Sequence, residues 1–130
     1  MHAAILAGFS VADADIIVTM DADLQNPPEE IPKLVKVMEE GNYDVVGSIR
    51  KGRKDSLLRI LPSRVINMVA RKITGVSMRD WGCMLRAYRS NVVSRMIQCH
   101  EHATFIPALA TVFAKRVMEV EVEHEERYRG

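Results

Sequence analysis

The stretch DADIIVTMDADLQNPPEE, residues 13 to 30, decides the fold of this chain. Asp-Ala-Asp occurs in it twice, with Ile16, Ile17, Val18, Thr19 and Met20 between the copies. A short, continuous apolar run that stops at an aspartate predicts a strand buried on both faces in a parallel sheet. Beyond it, Pro27 and Pro28 predict the first turn of a helix, where proline is tolerated. Glu29 and Glu30 favour the positive end of that helix, and Gly41 is placed to cap it after residue 40. Ile31, Leu34, Val35 and Met38 supply its apolar stripe.

The rest of the chain repeats this alternation. Residues 2 to 11 read as a helix with Gly8 near its end, and residues 43 to 49 as a second buried strand. A basic loop, RKGRKD, leads to a helix from about residue 56 to 73 that Pro62 kinks and that ends near Gly75. Residues 84 to 88 predict a third strand, and residues 91 to 99 and 104 to 115 two helices. In the last strand, residues 117 to 122, Val117, Val120 and Val122 mix with Glu119 and Glu121, which marks an edge or one wet face. Strands alternating with helices make the class α/β with a mostly parallel sheet, without internal repeat or interdomain linker.

Composition bounds the function. The 130 residues are 48% hydrophobic and 27% charged, enough for one modest core. A formal charge of +1 gives no general attraction to nucleic acid or to an anionic membrane, so any basic site is local. Cys83 and Cys99 lack metal-ligand spacing and read as free thiols in a reducing compartment. The apolar residues 2 to 9 are too short for a membrane span and have no basic leader, so the sequence predicts neither a span nor export.

In open α/β sheets ligands collect outside the carboxyl ends of the strands. Asp13 and Asp15 precede the strand and read as a solvated turn, whereas Asp21 and Asp23 leave its carboxyl end and run into a helix start. Hard divalent ions such as Mg²⁺ and Mn²⁺ prefer carboxylate, water and phosphate oxygens, so this second pair can share an ion with a diphosphate. On spacing alone Asp-x-Asp is equally a solvated turn, and its place after a buried strand is what raises it.

The wider segment MDADLQNPPEEIPKL resembles the Asp-x-Asp region of family 2 glycosyltransferases, in particular the polyprenyl-phosphate type that includes dolichyl-phosphate mannose synthase. AILAGFSVADADIIV, YDVVGSIR, RILPSRVIN, DWGCMLRAYRS and EERYRG agree in the same order. Within that family, GCMLRAYR, CHEHATFIPALA and VEHEERYRG look like the branch acting on a UDP-linked formamido-arabinose. The resemblance implies a partial GT-A, Rossmann-like fold, the central and C-terminal part of a catalytic domain that lacks the N-terminal nucleotide-binding units. It implies a UDP-sugar donor, Mg²⁺ or Mn²⁺, undecaprenyl phosphate as acceptor, and membrane attachment through segments not in this chain. For the full-length enzyme it implies the cytoplasmic side of the bacterial inner membrane and a link to lipid A modification. Uncovered sheet and helix faces would favour self-association, hence a possible homo-oligomer.

By the same resemblance Asp21 contacts the nucleotide, Asp23 binds the metal, and Gln25 lies nearby. Arg50, Arg59 and Ser63 match positions that grip the acceptor phosphate. Arg59, Ser63 and Asn67 are four apart and share a helix face, which independently suits phosphate oxygens. Lys51, Arg53 and Lys54 read as solvated. Asp80 matches the acidic residue near the reacting centre. A lipid monophosphate with a second pKa of about 6 is already largely dianionic, so orientation fits Asp80 better than proton removal. Arg127 resembles the arginine that closes over the diphosphate, with Gly130 as its glycine. His100 and His102 read as polar residues beside a helix, Trp81 as packing, and Met68, Met78, Met84 and Met96 as core filling. The expected reaction is an inverting transfer. Its alternatives are a polyprenyl-phosphate hexose synthase and a non-catalytic remnant with weak metal or phosphate binding.

Overall fold

The computed structural model describes residues 2–23, 25–51, 65, 68–69, 71–72, 75–76, 78–99 and 105–125. In chain order these give α1 (His2–Val11), β1 (Ile16–Thr19), a 3-10 turn (Pro28–Glu30), α2 (Ile31–Gly41), β2 (Val45–Arg50), β3 (Arg86–Arg89), α3 (Ser90–Gln98), α4 (Ile106–Phe113) and β4 (Val117–Val122). Residues 65, 68–69 and 71–72 are also helical, and Gly75, at φ +70°, closes that helix through a bond from its N–H to the Arg71 carbonyl (2.8 Å).

The sheet runs β1-β3-β2-β4. β3 is antiparallel to both neighbours, with Thr19 and Gly47 each opposite Arg86, and β2 is parallel to β4, with Arg50 opposite Val122. β1, β2 and β4 therefore point one way and β3 runs against them. The expected common direction holds for these three strands, but inserting β3 between β1 and β2 makes two of the ladders antiparallel. β1 is half-buried along its length, against the expectation of burial on both faces, because it forms an edge of the described sheet. β4 is the other edge, as its glutamates require.

Alternation along the strands splits the core into two layers. Val45 and Tyr88 face α1, α3 and α4, meeting Phe9, Val92, Val93, Met96, Ile106 and Leu109. Val46, Leu85 and Ala87 face α2, meeting Leu34, Met38 and Val122, with Ile31 and Val37 packed around them. Val37, not Val35, thus completes the stripe of α2. The left-handed residue ending α2 is Asn42 (φ 51°), not Gly41. Gly41 is needed for space: a Cβ there would stand 2.1 Å from the Tyr43 ring. Gly8 lies within α1 and accepts from the Ala12 N–H at 3.0 Å. Met78, Met84 and Met96 fill the core, whereas Met68 is 64% exposed, on a helix face it shares with the exposed Val65 and Val69. Cys83 and Cys99 are free thiols.

Candidate functional site

Because β3 is reversed, its amino end lies on the same rim as the carboxyl ends of β1, β2 and β4. Four stretches distant in sequence meet there: the loop after β1 with Asp21, Asp23 and Gln25, the end of β2 with Arg50, the approach to β3 with Asp80, and the residues after β4 with His124. Asp13 and Asp15 lie exposed at the opposite end of β1, the solvated turn expected of them.

Asp21 is half-buried. Burial and then the neighbouring Asp23 charge push its carboxyl above the usual aspartate range, while Arg50 and His124 pull it back. Asp23 is fixed by its own turn, its Oδ1 accepting from the Gln25 N–H at 3.1 Å. The loop is tied to the chain after β4: Glu125 N–H donates to the Gln25 carbonyl at 2.9 Å, and the buried Asn26 places its Oδ1 3.4 Å from His124 Nδ1. Beside Asp21 opens a cleft of about 560 Å³, walled by Phe9, Ile17, Met20, Ala22 and Met84.

Arg50 and Asp80 form a two-pronged ion pair, Nε to Oδ2 at 2.8 Å and Nη2 to Oδ1 at 3.1 Å. Asp80 Oδ1 also accepts from the Gly82 N–H at 3.1 Å. On the other side the Glu119 carboxylate takes the N–H groups of Arg79 (2.9 Å) and Asp80 (3.2 Å). Both Asp80 oxygens are thus engaged as acceptors, which makes this carboxylate a fastener of the arginine. Lys51 is exposed and pairs with the equally exposed Glu123 at the surface, in keeping with a solvated role. Trp81 is buried and packs.

Of the residues singled out from sequence, the fold brings together Asp21, Asp23, Gln25, Arg50 and Asp80. Arg59, Ser63, Asn67, His100, His102, Arg127 and Gly130 lie outside the described residues. His124 and Asn26 escaped sequence reading. The available signal for His124 was its place two residues beyond a strand whose carboxyl end reaches the rim.

The donor set fits a hard divalent ion. Two neighbouring carboxylates, of which Asp21 is raised by burial and by the Asp23 charge, offer oxygen ligands. Among the described residues no group of three His, Cys, Asp or Glu side chains is placed to hold a metal ion. No helix among the described residues is long and apolar enough to cross a membrane.

Sequence comparison places this geometry among known proteins. The chain is 58% identical over 129 residues to an undecaprenyl-phosphate 4-deoxy-4-formamido-L-arabinose transferase of Serratia proteamaculans, covering 99% of this chain and 39% of the relative. The proteins of that name from Yersinia pestis and Proteus mirabilis are 59% and 58% identical, with the same coverage. The chain therefore spans about two fifths of the length of these relatives. In fold it is similar to glucosyl-3-phosphoglycerate synthase from Mycobacterium tuberculosis. A structure of that enzyme in complex with Mn²⁺ and UDP-glucose aligns at TM-score 0.64 and 18% identity, over 99% of this chain and 47% of the other. The complex with phosphoglyceric acid aligns at TM-score 0.62 and 19% identity, over 99% and 47%. The family model described as glycosyl transferase family 2 matches residues 1–99, and the chain belongs to that family.

Proposed function

We propose that this chain is the central and C-terminal part of a GT-A catalytic domain that transfers 4-deoxy-4-formamido-L-arabinose from UDP to undecaprenyl phosphate, with inversion. The observation that carries the reading is the convergence of Asp21, Asp23 and the Arg50–Asp80 pair on one rim of the sheet. The likeness to the Serratia and Yersinia transferases supports the choice of sugar and lipid.

In the reaction an acceptor phosphate oxygen bonds to the anomeric carbon, while the bond from that carbon to the diphosphate oxygen breaks and UDP leaves with the electron pair. Asp21 and Asp23 would hold Mg²⁺ or Mn²⁺, which when bound supplies positive charge against the departing diphosphate. Gln25 N–H keeps the Asp23 carboxylate oriented. Arg50, aimed by Asp80, presents a guanidinium to the acceptor phosphate, and Arg59 and Ser63 add to that grip. Arg127 closes over the diphosphate. Asp80 positions, because the acceptor dianion needs no base. The longer enzyme would work at the cytoplasmic face of the bacterial inner membrane.

Two measurements test this. Mn²⁺-dependent binding of UDP to the chain should disappear in Asp23→Asn. This chain, exchanged for the matching 129 residues of the Serratia relative, should also sustain sugar transfer to undecaprenyl phosphate. A correctly folded exchange protein without transfer would favour the remnant reading, and transfer of a UDP-hexose instead would favour a hexose synthase.

A further inference from the structure

Arg86 opens β3 and is fully buried, the largest of the described side chains that are wholly enclosed. It forms no ion pair with a described residue. Its Nε donates to the Cys83 carbonyl at 2.8 Å, Nη2 to the Asp80 carbonyl at 2.7 Å, and Nη1 lies 3.6 Å from Met78 Sδ. All three acceptors belong to residues 78–83, the stretch that delivers Asp80 to the rim.

A buried cation must be solvated by the protein or it destabilises the fold, and an apolar side chain of similar size would avoid that cost. Here the carbonyls of one loop replace water. The planar guanidinium reaches three acceptors at fixed angles, which an ammonium cannot copy. The neighbouring strand is cleared for it: a Cβ on Gly47, directly across from Arg86, would stand 2.7 Å from Met78 Cε and 3.2 Å from Arg86 Nη1. The side chain therefore holds the backbone at Asp80 and at Cys83, with the Met78 sulfur beside it, while the Glu119 carboxylate holds the N–H groups of Arg79 and Asp80.

We infer that Arg86 is a positioning residue, which fixes the 78–83 loop so that the Asp80 carboxylate meets Arg50 on the rim. It acts through the loop backbone and touches no substrate. Its link to catalysis rests on the transferase reading of the Arg50–Asp80 pair.

The test uses the whole 130-residue chain, by NMR. In Arg86→Lys, hydrogen exchange of Arg50 Nε–H and of the amides of Asp80 and Gly82 should quicken at least about tenfold, while amides of Val46 and Ala87 keep their rates. Gly47→Ala, which crowds the guanidinium while leaving Arg86 in place, should give the same confined pattern. Unchanged rates in both variants, or acceleration spread evenly over the core amides, would overturn the inference. UDP binding with Mn²⁺ separates the two ideas. Confined acceleration together with weakened UDP or acceptor-phosphate binding supports both. Confined acceleration with UDP and acceptor-phosphate binding unchanged from the parent overturns the link to transfer.

Discussion

Replacing Asp80 with asparagine asks whether the Arg50–Asp80 contact is a lock or an ornament. The wild-type pair makes two charge-assisted hydrogen bonds, at 2.8 and 3.1 Å, with side chains 19% and 9% exposed. Such bonds contribute about 1.5–3 kcal/mol each, and breaking a fully buried pair costs about 3–5 kcal/mol. Asparagine keeps one oxygen, enough for Arg50 Nη2 and the Gly82 N–H. It sets an N–H₂ against Arg50 Nε–H, donor facing donor. Water reaches part of Arg50 and offsets some of the loss, leaving a net cost of about 2 kcal/mol. For a chain of this length that is a fall in Tm of about 6–10 °C. Thermal unfolding followed by circular dichroism measures it, and a cycle with Arg50→Gln isolates the pairwise share, expected to be about 1.5–2 kcal/mol. A Tm within about 2 °C of the parent, or a coupling below about 0.5 kcal/mol, would refute the lock and leave Asp80 free for another role.

Asp21→Asn removes repulsion from Asp23 while deleting a ligand, so Tm should hold or rise slightly and Mn²⁺ affinity, read by calorimetry, should drop at least about tenfold. Since burial and Asp23 raise the Asp21 value, the stability it contributes is present below pH 3.8 and lost as pH rises through the raised value; Mn²⁺ affinity runs the other way, falling as pH is lowered through it. Gly41→Ala, which helix propensity alone would favour by about 1 kcal/mol, should instead destabilise by about 1–3 kcal/mol through collision with the Tyr43 ring, and a higher urea midpoint would contradict this. Ser48→Ala strands the buried Leu85 carbonyl, which accepts Ser48 O–H at 2.7 Å, and should cost about 1–3 kcal/mol in the same assay.

The elements with strong local signals were legible in the sequence. The run from Ile16 to Met20 ending in Asp21, and the two prolines before α2, place a strand, a loop and a helix within a few residues of where they form. The reversal of β3 was not legible, because the RAYR segment carries no mark of its direction; that depends on which neighbours it pairs with. The halves of the site divide in the same way. Asp21 and Asp23 follow from position after a strand, whereas His124 and Arg86 gain meaning only from partners far away in sequence, Asn26 and residues 78–83. An arginine in a strand gives no sequence clue that it will be wholly enclosed.

The reversed central strand also ties ligand binding to folding. Its register with β1 joins Thr19 to Arg86, so the rim does not exist until segments far apart in the sequence have met. Such distant pairing closes late and slowly, as loop entropy demands. A ligand seated across the rim binds only the finished sheet, and at a hundred times its dissociation constant would add about 2.7 kcal/mol to stability. On the proposed transferase reading, metal and nucleotide should therefore act as a latch, lengthening the lifetime of the native state and slowing proteolysis.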